Sequence, residues 1–291
     1  MHQFSYRDNQ LYCEGASLDQ IADCVGTPAY VYSANTIREN YRRLHAALAP
    51  LDHLVCYAMK ANSNLSVLKL LAGEGAGFDI VSGGELFRAI KSGGFTGHCT
   101  FAGVGKTVAE IEYALKVGIY SFNVESEEEL ERINHVAARH NLTAPVAVRV
   151  NPDVDAQTHK YISTGKSKNK FGIGLDRAAA VYERAAALPN LQIRGVQTHI
   201  GSQILDPQPF ADAVKKLLPL VEELKAKYGI EFFSIGGGIG IVYDPALESG
   251  ATAWWDRAAE QRRITPEAYA RLLVPLLQPL DLKILLEPGR F

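Results

Sequence analysis

Eight short apolar runs recur along the chain, at residues 54–59, 77–82, 99–102, 120–124, 145–150, 193–199, 232–235 and 283–287. Runs of this length without polar alternation read as strands buried on both faces. Each of the first seven is followed by helical periodicity, such as Leu65, Leu68 and Leu71 after the first and Leu272, Leu273, Leu276 and Leu277 after the seventh. Gly93-Gly94 and Gly118 stand where two of these helices should stop. Glutamates crowd the start of the helix at 126–140, where they suit the positive helix end. Eight apolar strands alternating with helices predict a closed (β/α)8 TIM-type barrel. The alternative, an open doubly wound sheet, lacks a GxGxxG after the first run.

The flanks are less regular. Residues 11–14 suggest a short strand, Ser17 a capped helical turn, and 27–32 an extended segment opened by Pro28. An amphipathic helix at 33–48 shows Ile37, Tyr41, Leu44 and Leu48 on one face. After the eighth run only residues 288–291 remain, so the expectation is a barrel without its eighth helix, and hence the front part of a longer chain. A long polar loop at 151–174 and a connection at 245–263 interrupt the pattern. The latter holds Trp254-Trp255 and reads as a surface helix anchored by tryptophan, with partner contact as the other reading.

Composition excludes several functions. A formal net charge of −2 gives no electrostatic reason to expect nucleic acid or an anionic membrane surface. The N-terminus has no signal-peptide core, and no apolar run approaches a membrane span. Cys13, Cys24, Cys56 and Cys99 lack CxxC spacing. Cys56 and Cys99 fall inside apolar runs, as buried free thiols do, which fits a reducing cytoplasm.

Polar residues close at least five of the runs: Lys60, Asp79, Arg149, His199 and Glu287. A barrel brings the C-terminal ends of all its strands to one face, so these five are expected around one pocket. Lys60, after Tyr57-Ala58-Met59, reads either as a lysine emerging into water or as one desolvated, with its pKa lowered for Schiff-base chemistry. The convergence of the five favours the second. Gly236-Gly237-Gly238 after the seventh run can present N–H groups to a phosphate, or can form a tight turn. A lysine, a phosphate nest and a carboxylate are what pyridoxal 5'-phosphate needs: a covalent anchor, a phosphate hold and a partner for the ring nitrogen. Glu287 suits the last role. His199 could stack on the ring or be a satisfied core histidine, Ser202 could donate to phosphate, and Asp79 could bond Lys60 or the ring region, or act as a cap.

These segments resemble the motifs of the fold-type III pyridoxal-phosphate-dependent decarboxylases, whose barrel is alanine-racemase-like. The resemblance rests on Tyr57-Ala58-Met59-Lys60-Ala61-Asn62, His199-Ile200-Gly201-Ser202-Gln203, Gly236-Gly237-Gly238 and Glu287-Pro288-Gly289-Arg290. Within the group, Arg149-Val150-Asn151-Pro152 followed by the Thr158–Gly165 and Asn169–Gly172 segments is most similar to the branch acting on diaminopimelate. The resemblance implies decarboxylation of meso-2,6-diaminopimelate to L-lysine. It makes Lys60 the Schiff-base residue, stacks His199 on the ring and pairs Glu287 with its nitrogen. Ser202, Gly236, Gly237, Gly238, Pro288, Gly289 and Arg290 would line the phosphate end, with Arg290 also open to a substrate carboxylate. It further implies that residues 1–32 form an arm of a C-terminal β-domain not found here, that 33–291 form the barrel, and that the protein is a homodimer with its site at the interface. A racemase of the same fold type normally faces the ring nitrogen with an arginine, so Glu287 speaks against it. A decarboxylase of another basic amino acid and a non-catalytic cofactor-binding or regulatory barrel are the remaining alternatives.

Overall fold

The computed structural model describes residues 3–155, 171–241 and 264–291. The diaminopimelate-like stretch at 158–165 and the connection with Trp254-Trp255 lie outside the described residues. The chain opens with three short strands, β1 (Phe4–Arg7), β2 (Gln10–Cys13) and β3 (Ala16–Ser17), paired antiparallel. Helix α1 (Leu18–Val25) follows and buries none of its residues. Ser17 does stand at its N-cap, although its side chain accepts no capping bond. Residues 28–33 take no regular structure.

From α2 (Ala34–Ala47) the barrel begins. Its strands are β4 (His53–Ala58), β5 (Gly77–Ile80), β6 (Cys99–Phe101), β7 (Ser121–Val124), β8 (Ala144–Asn151), β10 (Leu191–Gln197), β11 (Phe232–Ser234) and β12 (Lys283–Leu286). A two-residue strand, β9 (Ile173–Gly174), pairs beside the end of β8. Neighbouring barrel strands are parallel, and two pairings close the ring. Ile284, Leu285 and Leu286 of β12 face His53, Leu54 and Val55 of β4. Leu191 to Gln197 of β10 runs beside Ala144 to Arg149 of β8, with an irregularity between Ile193 and Gly195. The expected eight-stranded barrel is therefore present.

Between the strands run α3 (Leu65–Gly73), α4 (Gly83–Lys91), α5 (Val108–Val117), α6 (Glu127–Arg139), α7 (Leu175–Ala186), α8 (Gln208–Tyr228) and α9 (Pro266–Leu277). Five of these helices start at side chains that accept the first orphan N–H groups. Asn64, Ser82, Ser126 and Thr265 do this for α3, α4, α6 and α9, and Thr107 completes a capping box with Glu110 on α5. Gly118 ends α5 at φ 70°, a left-handed conformation that glycine adopts without strain.

The expectation of a missing eighth helix is overturned. Helix α2 packs against both α9 and α3, so it covers the seam between β12 and β4 from the N-terminal side. Leu44 and Leu48, the expected inner face, are buried in the main core with Val55 and Leu286. Among the described residues, eight helices thus surround the eight barrel strands, with the first in sequence filling the last place. Among the described residues, no helix is long and apolar enough to cross a membrane. Cys56 and Cys99 are buried and free, as read from sequence.

Candidate active site

Lys60 is the second residue beyond β4, in a 3-10 turn at Met59–Ala61. Ala58 beneath it is fixed on both sides. It is in register with Asp79 of β5, and its N–H donates to the Pro288 carbonyl after β12. This puts the Lys60 side chain, 56% exposed, over the mouth of the barrel, while Asp79 below it is 1% exposed. Lys60 Nζ donates to Asp79 Oδ2 at 2.9 Å. Asp79 therefore bonds Lys60, and the capping alternative falls away.

The proton affinity of Lys60 runs opposite to the sequence expectation. Its pKa is raised from 10.5, first by the Asp79 carboxylate, against desolvation and the Arg149 guanidinium, which lower it. A buried carboxylate at hydrogen-bond distance outweighs the partial desolvation of an ammonium at the pocket mouth.

Across the mouth, Glu287 follows β12 and is 5% exposed. Its Oε1 accepts from Asn123 Nδ2 at 3.2 Å and Ser234 Oγ at 2.8 Å, and its Oε2 accepts from Gln197 Nε2 at 2.9 Å. All three donors are neutral. Burial, helped by the Asp79 charge, pushes the Glu287 carboxyl from 4.5 up to about 7, against these hydrogen bonds and Lys60. A carboxyl so placed can share a proton with a basic nitrogen near neutral pH. Asn123, Gln197 and Ser234 were missed in the sequence reading. The signal was present: each is a hydrogen-bonding residue inside an otherwise apolar run.

Arg149 lies two residues before the end of β8, where its Nη1 donates to Glu125 Oε1 at 3.1 Å and its guanidinium lies 5.1 Å from the Phe171 ring centroid. His199 follows β10. Its Nδ1 accepts from the Gly237 N–H at 3.2 Å, which leaves the proton of the neutral ring on Nε2. Burial and the Arg149 and Lys60 charges hold its pKa well below 6.5, so the ring is neutral. Ser202 and Arg290 are exposed, Gly289 is half-buried and Pro288 is buried.

The glycine run answers to its own neighbours first. A Cβ at Gly236 would stand 2.2 Å from the Thr198 carbonyl oxygen, and one at Gly237 would stand 1.9 Å from that of Glu287. The Gly236 N–H donates to Ser234 Oγ at 3.3 Å, and that of Gly237 is taken by His199. Here these two N–H groups are engaged within the loop instead of forming an open phosphate nest. The glycines let the loops after β10, β11 and β12 pack against one another, so that His199 and Glu287 sit at one mouth.

A (β/α)8 barrel with a lysine–carboxylate pair facing a buried, neutrally bonded carboxyl is of the class that holds a carbonyl cofactor through lysine. The residues fit such a group. Lys60 offers an amine, Glu287 a proton-sharing partner for a ring nitrogen, and Asp79 Oδ1 is buried with no hydrogen-bond partner among the described residues. The chain belongs to the pyridoxal-dependent decarboxylases: that family's pyridoxal binding domain matches residues 34–291. Pyridoxal phosphate is accordingly the cofactor of this barrel. The chain is 50% identical, over its whole length, to the diaminopimelate decarboxylase of Pseudomonas aeruginosa, covering 66% of that protein. It is 46% identical to that of Vibrio cholerae, again over its whole length and 67% of the other. The chain thus spans about two thirds of these relatives. Among solved structures, diaminopimelate decarboxylase from Helicobacter pylori complexed with L-lysine superposes at a TM-score of 0.85 and 39% identity, covering 94% of this chain and 66% of that one.

Proposed function

We propose that this chain is the lysine-bearing barrel of an enzyme that decarboxylates meso-2,6-diaminopimelate to L-lysine and carbon dioxide. The observation that carries the reading is the Lys60–Asp79 pair opposite the Glu287 cradle in one mouth. The substrate is taken from the relatives, which are named diaminopimelate decarboxylases at 46–50% identity.

Bound pyridoxal phosphate supplies an electron sink for the pair left on the α-carbon when its carboxylate departs as carbon dioxide. The protein's part is to hold and to move protons. Lys60 carries a proton at Nζ that Asp79 retains, which makes it the group able to deliver one to the reacting carbon. Glu287 would face a ring nitrogen and share a proton with it, keeping that nitrogen protonated. His199, neutral and oriented by Gly237, presents a flat uncharged face. Ser202 and Gly289 bind at the phosphate end, and the exposed Arg290 fork suits a carboxylate of the substrate.

Residues 1–32 form an arm that belongs with a further β-domain, and 33–291 form the barrel. In favour of this are the surface lie of α1, the exposure of Tyr6, Val25 and Tyr30, and the greater length of the relatives. The working protein is a cytoplasmic homodimer with its site completed at the interface. Four free cysteines suit that compartment.

The test is carbon dioxide release from meso-diaminopimelate with added pyridoxal phosphate, on this chain and on the gene product read to its stop codon. Turnover by the longer product supports the reading. Cofactor binding by both without turnover refutes the substrate. Borohydride trapping of cofactor that survives Lys60→Ala refutes the lysine.

A further inference from the structure

Lys106, in the loop between β6 and α5, is 3% exposed, and the chemistry proposed above does not use it. Its Nζ donates to the Gly103 carbonyl at 2.7 Å, the Asn123 carbonyl at 2.9 Å and Glu129 Oε1 at 2.6 Å. An ammonium has three protons, and here each has an acceptor. The Phe101 ring lies beside it, its centroid 5.6 Å from Nζ. Lysine is almost never buried this deeply unless it is paired.

Two branches lead from this lysine to the mouth. The first is short: it grips the carbonyl of Asn123, whose side chain donates to Glu287. The second runs through Glu129, whose Oε2 accepts the Glu125 N–H at 2.7 Å. Glu125 Oε1 then receives Arg149 Nη1 at 3.1 Å and the Gly103 N–H at 3.2 Å. Arg149 is thereby held near the end of β8, its guanidinium beside the Phe171 ring. The network ties the loop after β6, the end of β7, the first turn of α6 and the end of β8 to one buried cation. A buried ion pair is seldom more stabilising than apolar residues of the same volume. Its placement, with Glu287 at the end of one branch and the strand-end Arg149 at the end of the other, is better explained by geometry than by stability.

We propose that Lys106 is a positioning residue of the cofactor site, setting Asn123 against Glu287 and, through Glu129 and Glu125, setting Arg149 at the mouth of the barrel. The inference rests on the reading of the mouth as the site held by Lys60. It goes beyond that reading by giving a function to a network that touches neither cofactor nor substrate.

Lys106→Met alone strands the Glu129 carboxylate and risks unfolding the chain. The informative variant is Lys106→Met/Glu129→Gln, which removes both charges and keeps their volume. Glu125→Ala is its companion, removing the acceptor that holds Arg149 and so cutting the second branch while sparing the lysine pair. After urea unfolding has established that each folds, two quantities are read. One is the dissociation constant for pyridoxal phosphate. The other is the visible circular dichroism of saturated protein, which reports how the bound chromophore is held and which a purely structural role would leave unchanged. Affinity about tenfold weaker in the double variant, with altered dichroism in both variants, is expected. Wild-type affinity and dichroism in the folded variants overturn the positioning proposal. Lys60→Ala separates this from failure of the site reading. Loss of borohydride trapping in Lys60→Ala beside unchanged Lys106 variants sinks the positioning proposal alone, whereas persistent trapping sinks the site reading too.

Discussion

Glu287→Gln should make the cofactor-free chain more stable at alkaline pH while weakening its hold on pyridoxal phosphate. In the folded chain the carboxyl titrates at about 7, up from an ordinary 4.5, with burial the main cause and Asp79 the second. A group whose folded pKa is raised lends stability that is full below its unfolded pKa and is lost as pH rises through the folded one. The window is therefore 4.5 to about 7. A gap of that size corresponds to about 3 kcal/mol, most of it lost between about pH 5 and pH 8. The substitution keeps the shape and removes the charge. Asn123 Oδ1 and Gln197 Oε1 are buried without partners among the described residues, so these amides can turn over to accept from the new amide. Urea unfolding of both proteins without cofactor, at about pH 5 and pH 8, reads the effect. Near-equal stabilities are expected at the lower pH, with the variant ahead by roughly 2 to 3 kcal/mol at the higher. Other groups titrate in this range, but they cancel between the two proteins. Parallel pH dependences would refute the reasoning, because they would mean that Glu287 ionises as easily in the fold as in water.

Asp79→Asn should move Lys60 the other way. Asp79 is the main cause of the raised pKa of Lys60, so its loss lowers the pH at which the amine becomes nucleophilic. The pH profile for labelling of Lys60 by an amine-reactive probe checks this, and an unshifted profile would contradict it. Gly237→Ala should destabilise the fold by about 1–3 kcal/mol, since backbone must move to clear the contact. That contact is a Cβ 1.9 Å from the Glu287 carbonyl oxygen. Gly15→Ala, where a Cβ meets nothing within 4 Å, is the control and should stay within about 0.5 kcal/mol of wild type by urea unfolding.

The barrel was legible because its signal is repetitive. Eight apolar runs separated by capped, periodic helices leave little room for another architecture. Lys60, Asp79, Arg149, His199 and Glu287 were legible for a related reason: a parallel barrel converts position at a strand end into position in space. What depends on partners distant in sequence was not. Lys60 has its proton affinity set by Asp79, 19 positions away, and from sequence the shift was assigned the wrong sign. Helix α2 comes first in the barrel yet covers its last strand, a circular closure that linear order does not display. Glu129 reads as one of three acidic residues suited to a helix start, and only the fold shows it buried against Lys106. Lysine after a glycine-containing loop looks like surface, so Lys106 offered no signal at all.

The interior of the barrel explains why the strand-end residues can be so polar. Leu54, Cys56, Tyr120, Ala147, Phe232 and Leu285 form a buried cluster separate from the shell between strands and helices. Above this plug the strands end in Asp79, Asn123, Gln197, Ser234 and Glu287, all buried. Cys56 links the two tiers: its thiol is pushed well above 9.0 by burial and by the Glu287 and Asp79 charges. The apolar tier and the shell supply the favourable burial, while the polar tier holds charge where little water can screen it. Substitutions in the polar tier should therefore divide by chemistry. Those that remove a charge, as Glu287→Gln does, relieve the fold at the expense of the site. Those that strand one, as Lys106→Met does, harm both.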